Sequence, residues 1–370
     1  MAKKQLKVCM VGFGHAAQAL CRLLLDKAEE LYLEYDTEII VTAISGRSKG
    51  SILNAQGIDL EELLCAYNQT GKLQIAGAPS IEGQIAKEAS LKNDQDPIAL
   101  DIIDRCDADV MIELSTLSIM DGQPAIRHIE KAFERGLHVI TANKGPIAWD
   151  FMRLNALAQE RGLIFLYETT VMDGTPIFNL VKETLHGCKV LSFKGILNST
   201  TNFILTEMEQ GGSFEEAVKE AQRRGFSEAD PSMDVDGWDA AAKTAAIANV
   251  LLEANLRPTD VRRTGIDGIT AEEISAARAD HKKIKLLCEG YTDQGHAVGL
   301  VHPVCFHESS LYSTIGATSS ILSITTDLMG EISIIEKNPE IEQTAYGIYS
   351  DLLTLLKKTA ISSAAQGMFI

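Results

Sequence analysis

The sequence lacks the features that mark several classes of protein. It has no run of roughly 18 apolar residues, so no membrane-spanning helix is expected. Its opening, Met-Ala-Lys-Lys-Gln-Leu-Lys, has no apolar core followed by a cleavage site, which excludes a secretory signal. Positive charge is scarce: 34 Lys and Arg stand against 51 Asp and Glu, a net charge of −17. Nucleic acid and anionic membrane both reward clustered cations, so neither is expected as a partner. No Cys-x-x-Cys occurs. The cysteines at 9, 21, 65, 106, 188, 288 and 305 are odd in number and dispersed. They read as reduced thiols in a cytoplasmic protein, several of them packed within apolar runs. Internal repeats and low-complexity linkers are absent too. What remains is a chain of 370 residues with 45% hydrophobic residues, enough for two domains with real cores.

The first half alternates strand and helix. Residues 6–14 are a short apolar strand running into glycines, and a helical pattern follows from Ala16 with Leu20, Leu23, Leu24 and Leu31 on one face. Further strands are expected at 37–44, 110–114, 138–141 and 164–167, with a loop at 45–58 and helices near 59–67, 126–135 and 149–161. This alternation predicts an α/β, doubly wound, mostly parallel sheet of the Rossmann type. After about residue 170 the alternation stops. Helices at 178–185, 201–209, 214–224 and 238–253 mix with strands at 190–197, 298–306, 321–325 and 332–335, and a helix at 347–358 closes the chain. That half reads as an α+β domain.

Gly12-Phe13-Gly14-His15-Ala16-Ala17 fits G-x-G-x-x-G/A between a strand and a helix. Gly12 permits the turn, Gly14 lets a pyrophosphate approach the backbone, and Ala17 lets the helix pack on the sheet. The helix N-terminus then offers N–H groups to the phosphates. At the end of the second strand, where an acidic residue would hold the ribose of NAD, the chain reads Ser45-Gly46-Arg47-Ser48-Lys49. Arg47, with Ser48 and Lys49, suits a 2′-phosphate, which favours NADP over NAD. The alternative is that Arg47 and Lys49 are solvated loop cations. Ser115, Thr116 and Lys144 follow later strands and therefore face the same crevice, Lys144 as a phosphate anchor or a substrate contact.

Two further stretches stand out. Glu168 to Pro176 is a loop at the seam between the halves. Its carbonyls with Glu168 suit a monovalent cation, since oxygen ligands suit hard ions; otherwise the stretch only leads into a helix. Gly225 to Lys243 is acidic, then abruptly helical. Asp239 and Lys243 are four residues apart and share a helix face, with Glu228, Asp234 and Asp236 on the way in. Alone, this is equally a surface ion pair on a solvated acidic loop. Ser232-x-Asp234-x-Asp236-Gly237 imitates a calcium loop but starts with Ser and has Lys243 in the twelfth place, which excludes an EF-hand.

Taken together, the chain resembles the homoserine dehydrogenase family over most of its length. The likeness rests on Gly-Phe-Gly at 12–14, Thr-Ala-Asn-Lys-Gly-Pro at 141–146, Glu168 to Pro176, Gly195 to Leu205 and Thr344-Ala345 with Asp351. Most specific are Glu228, Asp234, Asp239 and Lys243, at the family's active-site spacing. The resemblance implies interconversion of homoserine and aspartate-4-semialdehyde with NAD(P). It implies Lys243 as general acid/base with Asp239 beside it, and Lys144 as a second active-site lysine. Glu228 would hold the substrate amino group with Asp234 nearby, and Thr200 and Asn198 would line the pocket. Glu168 with the carbonyls of Val171, Asp173 and Thr175 would match a monovalent cation site, sodium being one candidate. The nucleotide domain would comprise residues 1–150 with 336–370, and residues 151–335 would form a catalytic domain that also joins a homodimer.

The chain departs from the family in places. Ser199 stands where Gly is usual, and Glu336-Lys337-Asn338-Pro339-Glu340 replaces a Gly-rich turn that lies near the cofactor in relatives. With the chain ending at Ile370, no regulatory C-terminal domain and no threonine feedback through one are expected. Two other functions would leave different marks in the sequence. A reductoisomerase-like relative acting on another hydroxy acid or a sugar phosphate would need a divalent metal and a basic phosphate pocket. Only Arg223 and Arg224, on a helix, offer such charge near 195–243. A non-catalytic nucleotide sensor would not need both lysines and the full acidic set.

Overall fold

The structure is a computed structural model that describes residues 4–75 and 96–367, with side chains to residue 360. A six-stranded sheet has the order β3-β2-β1-β4-β5-β6, formed by Lys4–Val11 (β1), Thr37–Gly46 (β2), Gly50–Leu53 (β3), Val110–Glu113 (β4), His138–Thr141 (β5) and Phe165–Leu166 (β6). All its pairings are parallel except β2 with β3. Helices cover both faces, so β1 is buried on both sides, which explains the unbroken apolar run Val8-Cys9-Met10-Val11. On one face lies α1 (His15–Asp26), burying Ala17, Leu20, Cys21 and Leu24. Then come α2 (Ala28–Tyr35) and α3 (Leu60–Thr70), the latter capped by Asp59. The other face carries α4 (Pro97–Arg105), α5 (Ala125–Glu134) and α6 (Lys144–Glu160), whose core includes Ile102, Ile129, Phe133, Phe151 and Leu154.

After α7 (Phe178–Thr184) the chain builds a second six-stranded sheet, order β12-β11-β7-β9-β10-β8. Its strands are Val190–Ile196 (β7), Arg262–Arg263 (β8), Lys282–Asp293 (β9), His296–His307 (β10), Ser320–Thr326 (β11) and Gly330–Glu336 (β12). It is antiparallel apart from β8 with β10. The helices of this half are α8 (Ser199–Glu209), α9 (Phe214–Arg223), α10 (Ser232–Val235), α11 (Trp238–Leu251) and α12 (Ala271–Ala279). The alanines of α11 let it lie deep in the core: Ala240, Ala241, Ala242, Ala245, Ala246 and Ala248 are all buried. Asn249 at its far end donates to the carbonyls of Ile147 (3.0 Å) and Leu256 (2.9 Å), which ties α11 to α6. The chain then returns: α13 (Ile341–Gly367) packs Ala345, Ile348, Leu352 and Leu355 into the core of the first sheet, beside α1.

Several details differ from the sequence reading. The expected loop at 45–58 contains β3, because Gly46 and Gly50 close a tight hairpin in which the Lys49 amide donates to the Gly46 carbonyl. The sequence reading does not include α4, α10, α12, β8 or β9. β9 opens Lys-Lys-Ile-Lys-Leu-Leu, which hides the two-residue period of a strand. Its Lys285 is nevertheless buried, with Nζ donating to Asn202 Oδ1 at 3.0 Å. Pro176 lies two residues before α7 rather than at its first position. Among the described residues, no helix is long and apolar enough to cross a membrane.

Candidate active site

The glycine loop sits where the ends of β1, β2 and β4 meet. Gly12 has φ +104°, and a Cβ there would lie 2.2 Å from the Leu114 carbonyl oxygen, so only glycine fits. Its amide donates to the Ser45 carbonyl (2.7 Å). A Cβ on Gly14 would meet nothing within 4 Å, so the backbone before α1 is open to a ligand. His15 is exposed and Ala16 half-buried at the first turn, while Ala17 is buried against the sheet. Phe13 points inward and meets Tyr67 edge-on, ring centroids 5.1 Å apart, which leaves its backbone for the ligand side.

An open cleft runs past this loop, lined by Gly12, Gly14, Arg47, Ser48, Ser115 and Thr116 among others. These residues fit a dinucleotide: open backbone at Gly14, a helix N-terminus, and a cation at the β2 end. Arg47 is exposed and pairs with no carboxylate among the described residues. Lys49 is engaged: its Nζ donates to the Phe13 carbonyl at 2.7 Å and lies 5.2 Å from the Tyr67 ring centre. Asp96, which the sequence reading passed over, also lines the cleft and caps α4 through the Ala99 amide. Its signal was the pair Asp96-Pro97, a helix-start pattern.

Lys144 is the first residue of α6. Asn143 caps that helix through the Gly145 amide (3.0 Å) and donates to the Ser115 carbonyl (3.2 Å), which fixes the ends of β4 and β5 together. From there Lys144 Nζ reaches Asp239 Oδ1 at 2.8 Å across the seam between the two sheets. Asp239 Oδ2 accepts from Asn198 Nδ2 (2.9 Å) and lies 3.6 Å from Lys243 Nζ. Asn198 also donates to Asp234 Oδ1 (2.8 Å) and caps α8 through the Thr201 amide (2.7 Å). Lys243 Nζ donates to the Leu197 carbonyl at 2.6 Å. The side chains of Lys144, Asp239 and Lys243 are 17, 13 and 14% exposed, so water screens them weakly.

The electrostatics follow. Burial works to raise the Asp239 carboxyl, but the ammonium groups of Lys144 and Lys243 outweigh it and hold the group well below the usual carboxylate range. Burial works to lower Lys243, but Asp239 and then Asp173 outweigh it, and the ammonium is favoured. Asp234 is raised, chiefly by burial, with the Asn198 hydrogen bond opposing.

Three expected site residues sit differently. Thr200 Oγ1 donates inward to the Phe226 carbonyl (2.7 Å), tying the segment before α10 to α8. Glu228 is exposed on that segment, and its carboxylate has no hydrogen bond or ion pair among the described residues. Glu168 is buried and accepts from the amides of Ile177 (2.5 Å), Phe178 (2.8 Å) and Asn179 (2.7 Å), so its carboxylate serves the start of α7. Its own amide donates to Asp351 of α13 at 3.0 Å. Val171 is buried, Asp173 Oδ1 accepts from the Thr344 hydroxyl (2.7 Å), and the Thr175 carbonyl accepts from the Ile177 amide (2.9 Å). Ser199 is the first residue of α8, a position with no need for glycine. Glu336, at the end of β12, was seen in the sequence only as part of a lost glycine turn. Burial pushes it up to about 7 and the charge of Asp173 adds to this, while Thr175 and Lys243 oppose.

Comparison with known proteins points to one family. A family model described as homoserine dehydrogenase matches residues 176–353. The chain is 33% identical to the NAD(+)-dependent homoserine dehydrogenase of Pseudomonas canavaninivorans over 94% of its length and 95% of that protein's. It is 35% identical to the homoserine dehydrogenase of Methanocaldococcus jannaschii over 95% of its length and 99% of the relative's. Among solved structures, a putative homoserine dehydrogenase from Archaeoglobus fulgidus superposes with a TM-score of 0.80 at 32% identity, over 95% of this chain and 99% of that one.

Proposed function

The chain belongs to the homoserine dehydrogenase family, and we propose how its own residues carry out that family's reaction. It is an NAD(P)-dependent oxidoreductase of amino-acid biosynthesis, interconverting L-homoserine and L-aspartate-4-semialdehyde. The bound nicotinamide supplies the hydride chemistry; the protein supplies position and proton control. Lys243 is the general acid/base at the substrate oxygen. Its raised pKa keeps the ammonium form in the free protein, suited to donate to the aldehyde oxygen. In the oxidative direction the same group has to lose its proton before it accepts one from the hydroxyl. Asp239 holds Lys144 and Lys243 in place, and Asn198 and Asp234 complete the polar wall of the substrate pocket. Thr200, two residues after Asn198 on α8, lines the same wall, and Glu228 meets the substrate amino group.

Residues 1–150 with 336–370 are taken as the nucleotide unit, Gly12 to Ala16, Ser115, Thr116 and Lys144 being its cofactor contacts. Residues 151–335 are taken as the catalytic and dimer-forming unit. NADP is the preferred cofactor on the strength of Arg47, which is exposed and pairs with no carboxylate among the described residues. Arg47→Ala is expected to raise KM for NADP more than for NAD; equal effects would remove Arg47 as a 2′-phosphate ligand. A monovalent cation would rest on the carbonyls of Val171, Asp173 and Thr175, because the Glu168 carboxylate is engaged with three amides. Seven free thiols suit a reducing cytoplasm. The observation that carries the reading is the bridge Lys144–Asp239–Lys243, which joins the cofactor crevice to the second unit. The test is reduction of NAD(P) on addition of L-homoserine.

A further inference from the structure

Behind the cofactor crevice lies a buried polar cluster that none of the steps above uses. Glu113, the last residue of β4, and His128 of α5 are both wholly buried. His128 Nδ1 donates to Glu113 Oε1 at 3.2 Å. Asp96, which caps α4, stands with Oδ2 3.8 Å from His128 Nε2. Polar groups this deep are costly unless they satisfy one another. The same helix buries Ile126, Ile129 and Phe133 in the core, so a histidine among them calls for a reason.

Glu113 passes the contact on to the crevice. Its Oε1 also accepts from the Ser115 amide at 3.2 Å. The Ser115 carbonyl accepts from Asn143 Nδ2 at 3.2 Å. Both main-chain groups of Ser115 are therefore pinned, one from β4 and the other from the start of α6. The peptide before it presses on the glycine loop. The Leu114 amide donates to the Val11 carbonyl (2.7 Å), and a Cβ on Gly12 would lie 2.7 Å from the Ser115 nitrogen. Only the Ser115 side chain is left over. Its Oγ is withdrawn from water and has no hydrogen-bond partner among the described residues. Ser115 lines the crevice beside Gly12 and Arg47 and, further along, beside Asn143 and Lys144. A hydroxyl so placed is satisfied when a ribose or phosphate oxygen arrives.

We propose that His128 is a positioning residue for the cofactor: through Glu113 it fixes Ser115, and so aims the hydroxyl that grips the bound dinucleotide. The proposal rests on the NAD(P) reading above. His128 itself does not line the crevice and acts only through its neighbours.

The test measures dissociation constants for NADPH and NADH by titration calorimetry. The proteins are wild type, His128→Leu, His128→Asn, Ser115→Ala and the double variant of His128→Leu with Ser115→Ala. KM for L-homoserine is taken alongside, at saturating cofactor. His128→Leu is expected to weaken cofactor binding about 10-fold, the low end for a hydrogen bond to a charged group. His128→Asn keeps an N–H where Nδ1 stood and should bind within about 3-fold of wild type. In the Ser115→Ala background, His128→Leu should add less than about 2-fold, since the hydroxyl it positions is gone. KM for L-homoserine should stay at its wild-type value throughout. Wild-type cofactor binding by His128→Leu overturns the proposal, as does His128→Asn binding no better than His128→Leu. An equal cost with and without the Ser115 hydroxyl also overturns it, because that is the mark of a purely structural role. If His128→Leu does not fold, His128→Gln, whose longer side chain carries its amide past Glu113, takes its place with the same expectations. Wild type that binds neither NADPH nor NADH would overturn the cofactor reading instead.

Discussion

Lys243 is kept charged by its neighbours, and this governs the chemistry it performs. Burial alone would lower its pKa, yet Asp239 and Asp173 reverse the sign. The proton is therefore bound through neutral pH and is lost only above the ordinary lysine range of about 10.4. Oxidation needs the deprotonated amine, so kcat/KM for homoserine oxidation should climb with pH through the alkaline range, while reduction of the semialdehyde should fall over the same range. A pH profile taken in both directions checks this; an oxidation rate that levels off near neutrality would contradict it. Lys243→Ala should lower kcat by about 10²- to 10⁴-fold, the usual worth of a placed acid/base, with KM for NAD(P) little changed. Asp239→Asn removes the charge that Lys144 and Lys243 share. Lys243 then loses the chief charge that opposes its burial, and its pKa falls. The alkaline rise in oxidation should move to lower pH in that variant, even as kcat drops.

Elements were legible to the extent that their pattern was local. The glycine loop, β5 and α7 could be read from spacing, because each is set by its own turn residues and apolar period. The pairing of Asp239 with Lys243 was also visible, being one helix turn. What could not be read was anything decided across the fold. β9 hides behind its lysines, and Lys285 is tolerated inside only because α8 brings Asn202 to it. The carboxylate of Glu168 accepts from amides at the start of α7 and its amide meets α13, contacts that no local pattern shows. The contact between α13 and the 168–176 loop is equally silent in sequence. A Cβ on Gly347 would fall 1.9 Å from Thr169 Oγ1 and 2.8 Å from the Gly174 Cα. The hydroxyl can turn away but the backbone cannot, so Gly347→Ala should destabilise the protein by about 1–3 kcal/mol, as overpacking does. Urea unfolding measures it, and an unchanged midpoint would show that α13 shifts freely.

At the scale of the whole molecule, both sheets converge on one seam, and α13 closes it. Asp351 of α13 is buried there, with burial the largest cause and the Glu168 charge adding to it, which pushes its carboxyl up to about 7. The folded protein thus keeps this proton to near neutral pH, while an unfolded aspartate gives it up near pH ~4. The stability it contributes is full below that lower value and is lost as pH rises through about 7. Thermal midpoints from pH 4 to 8 should accordingly fall more in wild type than in Asp351→Asn; parallel curves would contradict this origin. The seam also places the bridge from Lys144 to Lys243 at the mouth of the cofactor crevice, and on that placement the functional account depends. The most direct test follows NAD(P) reduction with L-homoserine in wild type and Lys243→Ala, with cofactor binding to both measured separately. The account predicts homoserine-dependent reduction by wild type and its near loss in a variant that still binds the cofactor. Turnover by Lys243→Ala at the wild-type rate, or none by wild type, would contradict it.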